Sequence, residues 1–265
     1  MTDTTPLDAA HAAMMAAPDS DTARLGFYER LADCELFLML EAEPDDTDET
    51  VTPELFDVGD ARYVLVFDRL ERLAAFAGQT AAYVALSGRA IAGMLQGQGI
   101  GLGLNPDVAP SSVLLPAEAA EWLARTLGNA PDEVEARITQ VEAPAGLPDS
   151  LIAAIDTKLA TAMGLARFAC LAGVHYDGGG RGHLLAFVDA VPQAQDALAR
   201  AAAEALTFSG IEAGEMDVGF FSSADPLAAK LEQYGLRFDL PQLPENVSSV
   251  PAAPGSDPEK PPRLK

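Results

Sequence analysis

The segment Gly97-Gln98-Gly99-Ile100-Gly101-Leu102-Gly103-Leu104-Asn105-Pro106 constrains the fold more than any other. Ile100, Leu102 and Leu104 recur at every second position with glycine between them, the period of an extended strand with one apolar and one bare face. A strand over Gln98 to Leu104 is expected. A bare face leaves room for a close approach, by another part of the fold or by a ligand or partner. Gly101, Gly103 and, at the strand's end, Asn105 are therefore the candidate contact residues, and Asn105 before Pro106 also reads as a turn residue. The early glycines satisfy part of a dinucleotide fingerprint, but such a fingerprint turns directly into a helix whose N-terminus holds the pyrophosphate. Here the chain runs into the Pro- and Ser-containing stretch that ends at Ser112, so no nucleotide cofactor is expected.

The elements around this strand read clearly. Leu7, Ala10 and Met14 recur at helical spacing before Pro18, and Leu25, Tyr28 and Leu31 do so after Asp19 to Asp21, which offer N-cap and dipole-favourable carboxylates. Leu36 to Leu40 is apolar without alternation, as expected of a strand buried on both faces. Tyr63 to Phe67 is a second strand. Asp68 then stands at an N-cap position with Glu71 three residues on, in capping-box register, and Leu70, Leu73 and Phe76 form the buried stripe of a helix that Gly78 stops. Ala82 to Leu86 reads as a strand, Ser87 opens a helix carrying Ile91, Met94 and Leu95, and Pro116 opens another carrying Ala119, Trp122, Leu123 and Leu127. Val134 to Val141 alternates as an edge strand does.

Charge excludes whole classes of partner. The 265 residues hold 40 acidic and 17 basic side chains, a formal charge of −23. Such a surface repels phosphate backbones and anionic bilayers, so neither nucleic acid nor membrane is an expected partner, and a protein with a basic patch is the favoured kind. From Glu41 to Asp60 there are nine acidic residues and no basic one, a density that stays in solvent as a loop, with Pro53 to Val58 as an edge strand. The first 23 residues lack Lys and Arg, so no secretory signal is read there, and no window approaches the roughly 20 apolar residues of a membrane span. Cys34 and Cys170, both in apolar stretches, read as packed thiols in the reducing cytoplasm.

Ala143-Pro144-Ala145-Gly146-Leu147-Pro148 separates two self-sufficient patterns. The expected organisation is an α/β (α+β) protein of two mixed-sheet domains covered by helices, spanning 1–142 and 149–240, with a disordered tail over 241–265, where seven prolines and little apolar surface cannot offset ordering entropy. In the second domain the order is helix (Ser150 to Met163), strand (Ala166 to Tyr176), glycine hairpin, strand (His183 to Ala190), helix (Gln193 to Thr207), strand (Met216 to Phe221) and helix (Pro226 to Tyr234).

Taken together, the apolar strand Leu36 to Leu40, the carboxylate run, Phe67-Asp68-Arg69-Leu70-Glu71-Arg72-Leu73 and the glycine strand closing on Asn105-Pro106 resemble the N-terminal domain of the SseB family, named for enhanced serine sensitivity. The pattern beyond the linker resembles the SseB C-terminal domain, so the resemblance spans about residues 20 to 240. It implies no catalytic residue, metal or cofactor. The remaining chemistry is thin. His175, Asp177 and His183 bracket Gly178-Gly179-Gly180, but their spacing matches no metal motif and a triglycine turn preorganises ligands poorly. Neither cysteine has a histidine close in sequence, and no Gly-x-Ser-x-Gly, His-Glu-x-x-His or Walker sequence occurs. The expected function is a non-enzymatic cytoplasmic binding or regulatory protein acting through its acidic surface or a groove beside the glycine strand. The rival is an enzyme or small-molecule sensor with its site between the domains. Oligomeric state stays open at this level.

Overall fold

The structure is a computed structural model that describes residues 4–43, 51–128, 137–177, 179–210 and 216–242. Much of the acidic loop (44–50), the start of the expected Val134 to Val141 strand and the tail from 243 onward lie outside the described residues.

Helix α1 (Pro6–Ala16) starts behind Thr5 in a capping box, the Thr5 hydroxyl accepting from the Asp8 amide and the Asp8 carboxylate from the Thr5 amide. Helix α2 (Asp21–Asp33) is capped by the Ser20 hydroxyl, which accepts from the Ala23 amide at 3.2 Å, rather than by Asp19 or Asp21. Then follow β1 (Glu35–Met39), β2 (Leu55–Val58), β3 (Ala61–Phe67), α3 (Leu70–Ala77), β4 (Tyr83–Ser87), α4 (Gly88–Leu95), β5 (Gly101–Leu104), β6 (Val113–Leu115) and α5 (Ala117–Gly128). The strands form one sheet in the order β4-β1-β3-β5-β6, with β2 pairing β3 beyond the end of β1. The β3–β5 pair is parallel and the other pairs are antiparallel.

The two-residue period of the strands divides this sheet's core. Leu36, Leu38, Val64, Val66, Leu102 and Leu104 face α1, α2, α4 and α5, while Met39, Leu65 and Phe67 face α3 through Leu73 and Phe76. The glycine strand begins later than its alternation suggests. Gly97 and Gly99 take positive φ of 73° and 65° and turn the chain, so the extended part starts at Gly101.

The second sheet is built from β7 (Ile138–Glu142), β8 (Phe168–Tyr176), β9 (Arg181–Val188), β10 (Met216–Phe221) and β11 (Leu236–Asp239), in the order β10-β9-β8-β11, with β7 also on β8. The expected glycine hairpin is present, His175 standing opposite Arg181. Helices α6 (Asp149–Leu159) and α7 (Gln195–Phe208) cover one face through Leu151, Ile155 and Leu198, and α8 (Pro226–Tyr234) covers the other through Ala228 and Leu231. Ile138–Glu142, which the linker position assigns to the first domain, pairs with Gly173 to Tyr176 of β8 instead. Its alternation marks an edge strand and carries no information about which sheet supplies the partner.

The two halves meet through helices. Phe208 of α7 enters the first core and lies edge-on to Trp122 at 6.3 Å. Beside it, Lys158 Nζ reaches Asp33 at 2.6 Å and Glu204 at 3.2 Å, and Arg89 Nη1 reaches Glu204 at 2.7 Å.

The docked chain continues two residues past Leu240. The Pro241 carbonyl accepts from the Gly164 amide at 2.8 Å, and Gln242 Nε2 donates to the Ala166 and Arg167 carbonyls at 3.2 and 3.1 Å. Ending the chain after Gln242 should leave the thermal midpoint unchanged, whereas ending it after Leu240 should lower it by about 2–4 °C, the equivalent of roughly 1 kcal/mol. Scanning calorimetry of the two truncations checks this.

Candidate functional site

Because β3 and β5 run parallel with Val66 opposite Leu104, the residues that follow them, Asp68 and Asn105, emerge side by side at one edge of the sheet. Open α/β sheets place ligands at this carboxyl edge. Here it holds a buried polar network. Asn105, fully buried and with φ of 46°, bonds in three directions: its amide donates to the Val66 carbonyl at 2.9 Å, its Oδ1 accepts from the Asp68 amide at 3.2 Å, and its Nδ2 donates to the Ser111 hydroxyl at 2.9 Å. These bonds hold it in the left-handed region that asparagine tolerates better than most residues. Ser111 Oγ in turn donates to Asp8 Oδ1 at 2.6 Å.

Arg72 is the centre. Its side chain is only 4% exposed, and it donates from Nη1 to Asp8 Oδ1 at 3.0 Å and Asp68 Oδ1 at 2.8 Å and from Nη2 to Asp8 Oδ2 at 2.5 Å. Asp68 also accepts from the Thr5 hydroxyl at 2.6 Å. That engagement explains why Asp68 does not cap α3: Arg69 holds the cap position with no side-chain bond, while Asp68 faces Arg72 one turn on. Burial alone would raise the Asp8 carboxyl, but the hydrogen bonds from Arg72, Ser111 and the Thr5 amide outweigh it and hold the group far below the usual carboxylate range.

Gly101 and Gly103 are buried four and two residues before Asn105, on the sheet face opposite Leu102 and Leu104. A Cβ on Gly101 would stand 2.5 Å from the Tyr63 ring and 2.6 Å from the Leu115 carbonyl oxygen, and one on Gly103 would stand 2.6 Å from Leu65 Cδ2. Side chains of β3 thus lie across the space that the glycines leave. Of the three residues singled out by sequence, Asn105 alone joins the network. Asp8, Arg72 and Ser111 were not singled out. The available signals were Thr5-Pro6-Leu7-Asp8 as a capping box and the i, i+4 spacing of Asp68 and Arg72.

The segment 7–122 matches the family model described as SseB protein N-terminal domain. This part of the chain is similar to the SseB protein N-terminal domain. The SseB match contains Asp8, Asp68, Arg72, Asn105 and Ser111 and ends within α5. No curated protein and no solved structure matches the chain.

The other candidate groups lie elsewhere and apart. His175 Nε2 accepts from Arg181 Nε at 3.2 Å and lies 3.3 Å from Glu142 Oε1, His183 Nε2 meets the Ala145 carbonyl at 3.0 Å, and the Asp177 amide donates to the Arg137 carbonyl. Among the described residues no group of three or more His, Cys, Asp or Glu is arranged to hold a metal. Burial is the main reason that the Cys34 thiol is pushed up to about 12 and Cys170 to about 11, so both are protonated at neutral pH. Two open grooves border the surface, one of about 500 Å³ between β7 and α8 at Gln140, Glu142, Lys230 and Tyr234, and one of about 270 Å³ between α2 and α5 at Tyr28 and Trp122.

Three outcomes follow from this geometry. Arg72→Met should destabilise by about 3–5 kcal/mol, because it leaves two buried carboxylates without their cation. Gly101→Val should cost about 1–3 kcal/mol through overpacking against Tyr63 and Leu115. Denaturant midpoints measure both. The depressed Asp8 carboxyl stabilises the folded state above its ordinary value of 3.8, and that contribution is lost as pH falls further toward the folded value. Asp8→Asn should therefore show a shallower loss of stability between pH 4 and pH 2 than the wild type, in roughly the window that this linkage defines.

Proposed function

We propose that the protein is a non-enzymatic binding or regulatory protein of the cytoplasm, its second half an SseB C-terminal domain, and that it acts by contact between its acidic surface and a protein carrying a basic patch. The observation that supports this reading most is where the cations go. Arg72 and Lys158, with side chains 4% and 8% exposed, turn inward onto Asp8, Asp68, Asp33 and Glu204, and the more exposed Arg89 pairs with Asp33 and Glu204, in a chain already at −23. Glu41 and Glu43, after β1, and Asp57 and Asp60, in β2 and its turn into β3, stand exposed. The clusters around Arg72, Lys158 and Arg89 hold three cations against five carboxylates, and in the rest of the chain acidic side chains still outnumber basic ones by 35 to 14, an excess that favours fast, salt-sensitive association with a positive partner. The contact between the halves is filled by Phe208, Trp122 and the Lys158 and Arg89 ion pairs, which weighs against a small-molecule site there. Among the described residues no helix is long and apolar enough to cross a membrane.

The test is capture from native lysate with the wild type and with a variant carrying Glu41→Gln, Glu43→Gln, Asp57→Asn and Asp60→Asn. A basic protein retained at low salt, released as ionic strength rises toward about 0.5 M, and lost by the variant is the expected result. Capture indifferent to both salt and substitution would overturn the acidic-surface reading. A thermal shift with a neutral metabolite, unaffected by the four substitutions, would favour a small-molecule sensor instead.

A further inference from the structure

We infer that α1 is a strap whose Asp8 carboxylate fills, from within the chain, a receptor for a single carboxylate group at the carboxyl edge of β3 and β5. The receptor is assembled without α1. Arg72 comes from α3, Asp68 and Asn105 from the ends of the two parallel strands, and Ser111 from the loop after Asn105. They orient one another: Asp68 Oδ1 accepts from Arg72 Nη1 at 2.8 Å, Asn105 Oδ1 accepts from the Asp68 amide at 3.2 Å, and Asn105 Nδ2 donates to Ser111 Oγ at 2.9 Å. What remains is a guanidinium and a hydroxyl aimed at one point, and Asp8 occupies it with bonds of 3.0, 2.5 and 2.6 Å. Two-pronged donation from guanidinium to carboxylate is the geometry that arginine supplies best.

The strap's apolar holds are modest in size. Of the eleven residues of α1 only Leu7, Asp8 and His11 are buried, Leu7 is the single buried aliphatic among them, and His11 lies edge-on to Phe27 at 5.6 Å. Ala12, Ala13, Met15 and Ala16 face solvent. Ala10 and Met14 are partly buried against the first core, and the polar lock of Thr5 and Asp8 on Asp68, Arg72 and Ser111 adds the directional hold on the helix. Charge defines the class of ligand. Asp68 shares the one positive charge of Arg72 with whatever fills the receptor, so a monoanion of carboxylate shape is accepted more readily than a phosphate dianion, which would add a further uncompensated charge. A free monocarboxylic acid or an acidic side chain offered from outside has the same chemistry as Asp8. This receptor is separate from the acidic surface, and its failure would leave that reading untouched.

The full chain with Asp8→Ala tests the assignment, with acetate as the probe. At equal ionic strength, acetate should raise the thermal midpoint of Asp8→Ala by several degrees more than chloride does, while the wild type, whose receptor is filled, responds alike to both salts. Adding Ser111→Ala to Asp8→Ala should abolish the acetate effect. Equal responses of wild type and Asp8→Ala would overturn the receptor, and a larger response to phosphate than to acetate would overturn the monocarboxylate class. Should Asp8→Ala not fold, amide hydrogen exchange of the wild type decides on the strap: α1 amides should exchange at least about tenfold faster than those of β3, reflecting local opening, and equal rates would refute a detachable helix.

Discussion

The guanidinium of Arg72, buried between Asp8 and Asp68, is the interaction on which the arrangement of the first sheet depends. A cation in that position is tolerable only when every neighbouring acceptor is aimed at it, and removing either side leaves an uncompensated buried charge. Its partners reach well beyond the pair. Through Asp68 it fixes the end of β3, through Ser111 and Asn105 the end of β5, and through Asp8 and Thr5 the start of α1. Elements distant in sequence are thereby held in one register by groups with directional demands that apolar packing alone does not impose.

A second set of charges performs a comparable task between the halves and is less completely matched. Lys158 and Arg89 face Glu29, Asp33 and Glu204, two cations against three carboxylates. Burial would raise Glu204, but hydrogen bonds and charge from Arg89 and Lys158 win and lower it. For Glu29 burial wins: its carboxyl is raised, its Oε1 is buried without a hydrogen-bond partner, and Lys158 Nζ stands 3.6 Å away. The apolar share of the contact comes from Phe208 against Trp122. An acidic chain with few cations thus commits several of them to internal pairs.

Much of the fold was legible because periodicity survives in the sequence. The uninterrupted apolar run at β1 marks a strand flanked on both sides, and Tyr63 to Phe67 forms the middle of the first sheet. Stop signals such as Gly78, in a left-handed C-cap, fall where helices end. Short elements left weaker traces. The three residues of β6 and the four of β11 carry too few alternations to stand out from loop. Partner choice left no trace at all in β7, whose edge pattern is the same whichever sheet it joins. At the carboxyl edge, Asn105 was visible through its proline, whereas Asp8 and Arg72 resembled ordinary helix-surface charges.

The sequence by itself determined the alternation of the two sheets, the two-part α/β architecture and the excess of negative charge, since local propensity and composition depend only on near neighbours and on counts. Tertiary structure alone decided that Asp8 would meet Arg72 across 64 positions and that Lys158 would meet Asp33 across 125. It also decided that the bare side of Gly101 would lie beneath the Tyr63 ring. Such pairings are set by which surfaces the packed helices and strands bring together, and a charge in an amphipathic helix carries the same local signature whether its partner is water or a buried counter-ion.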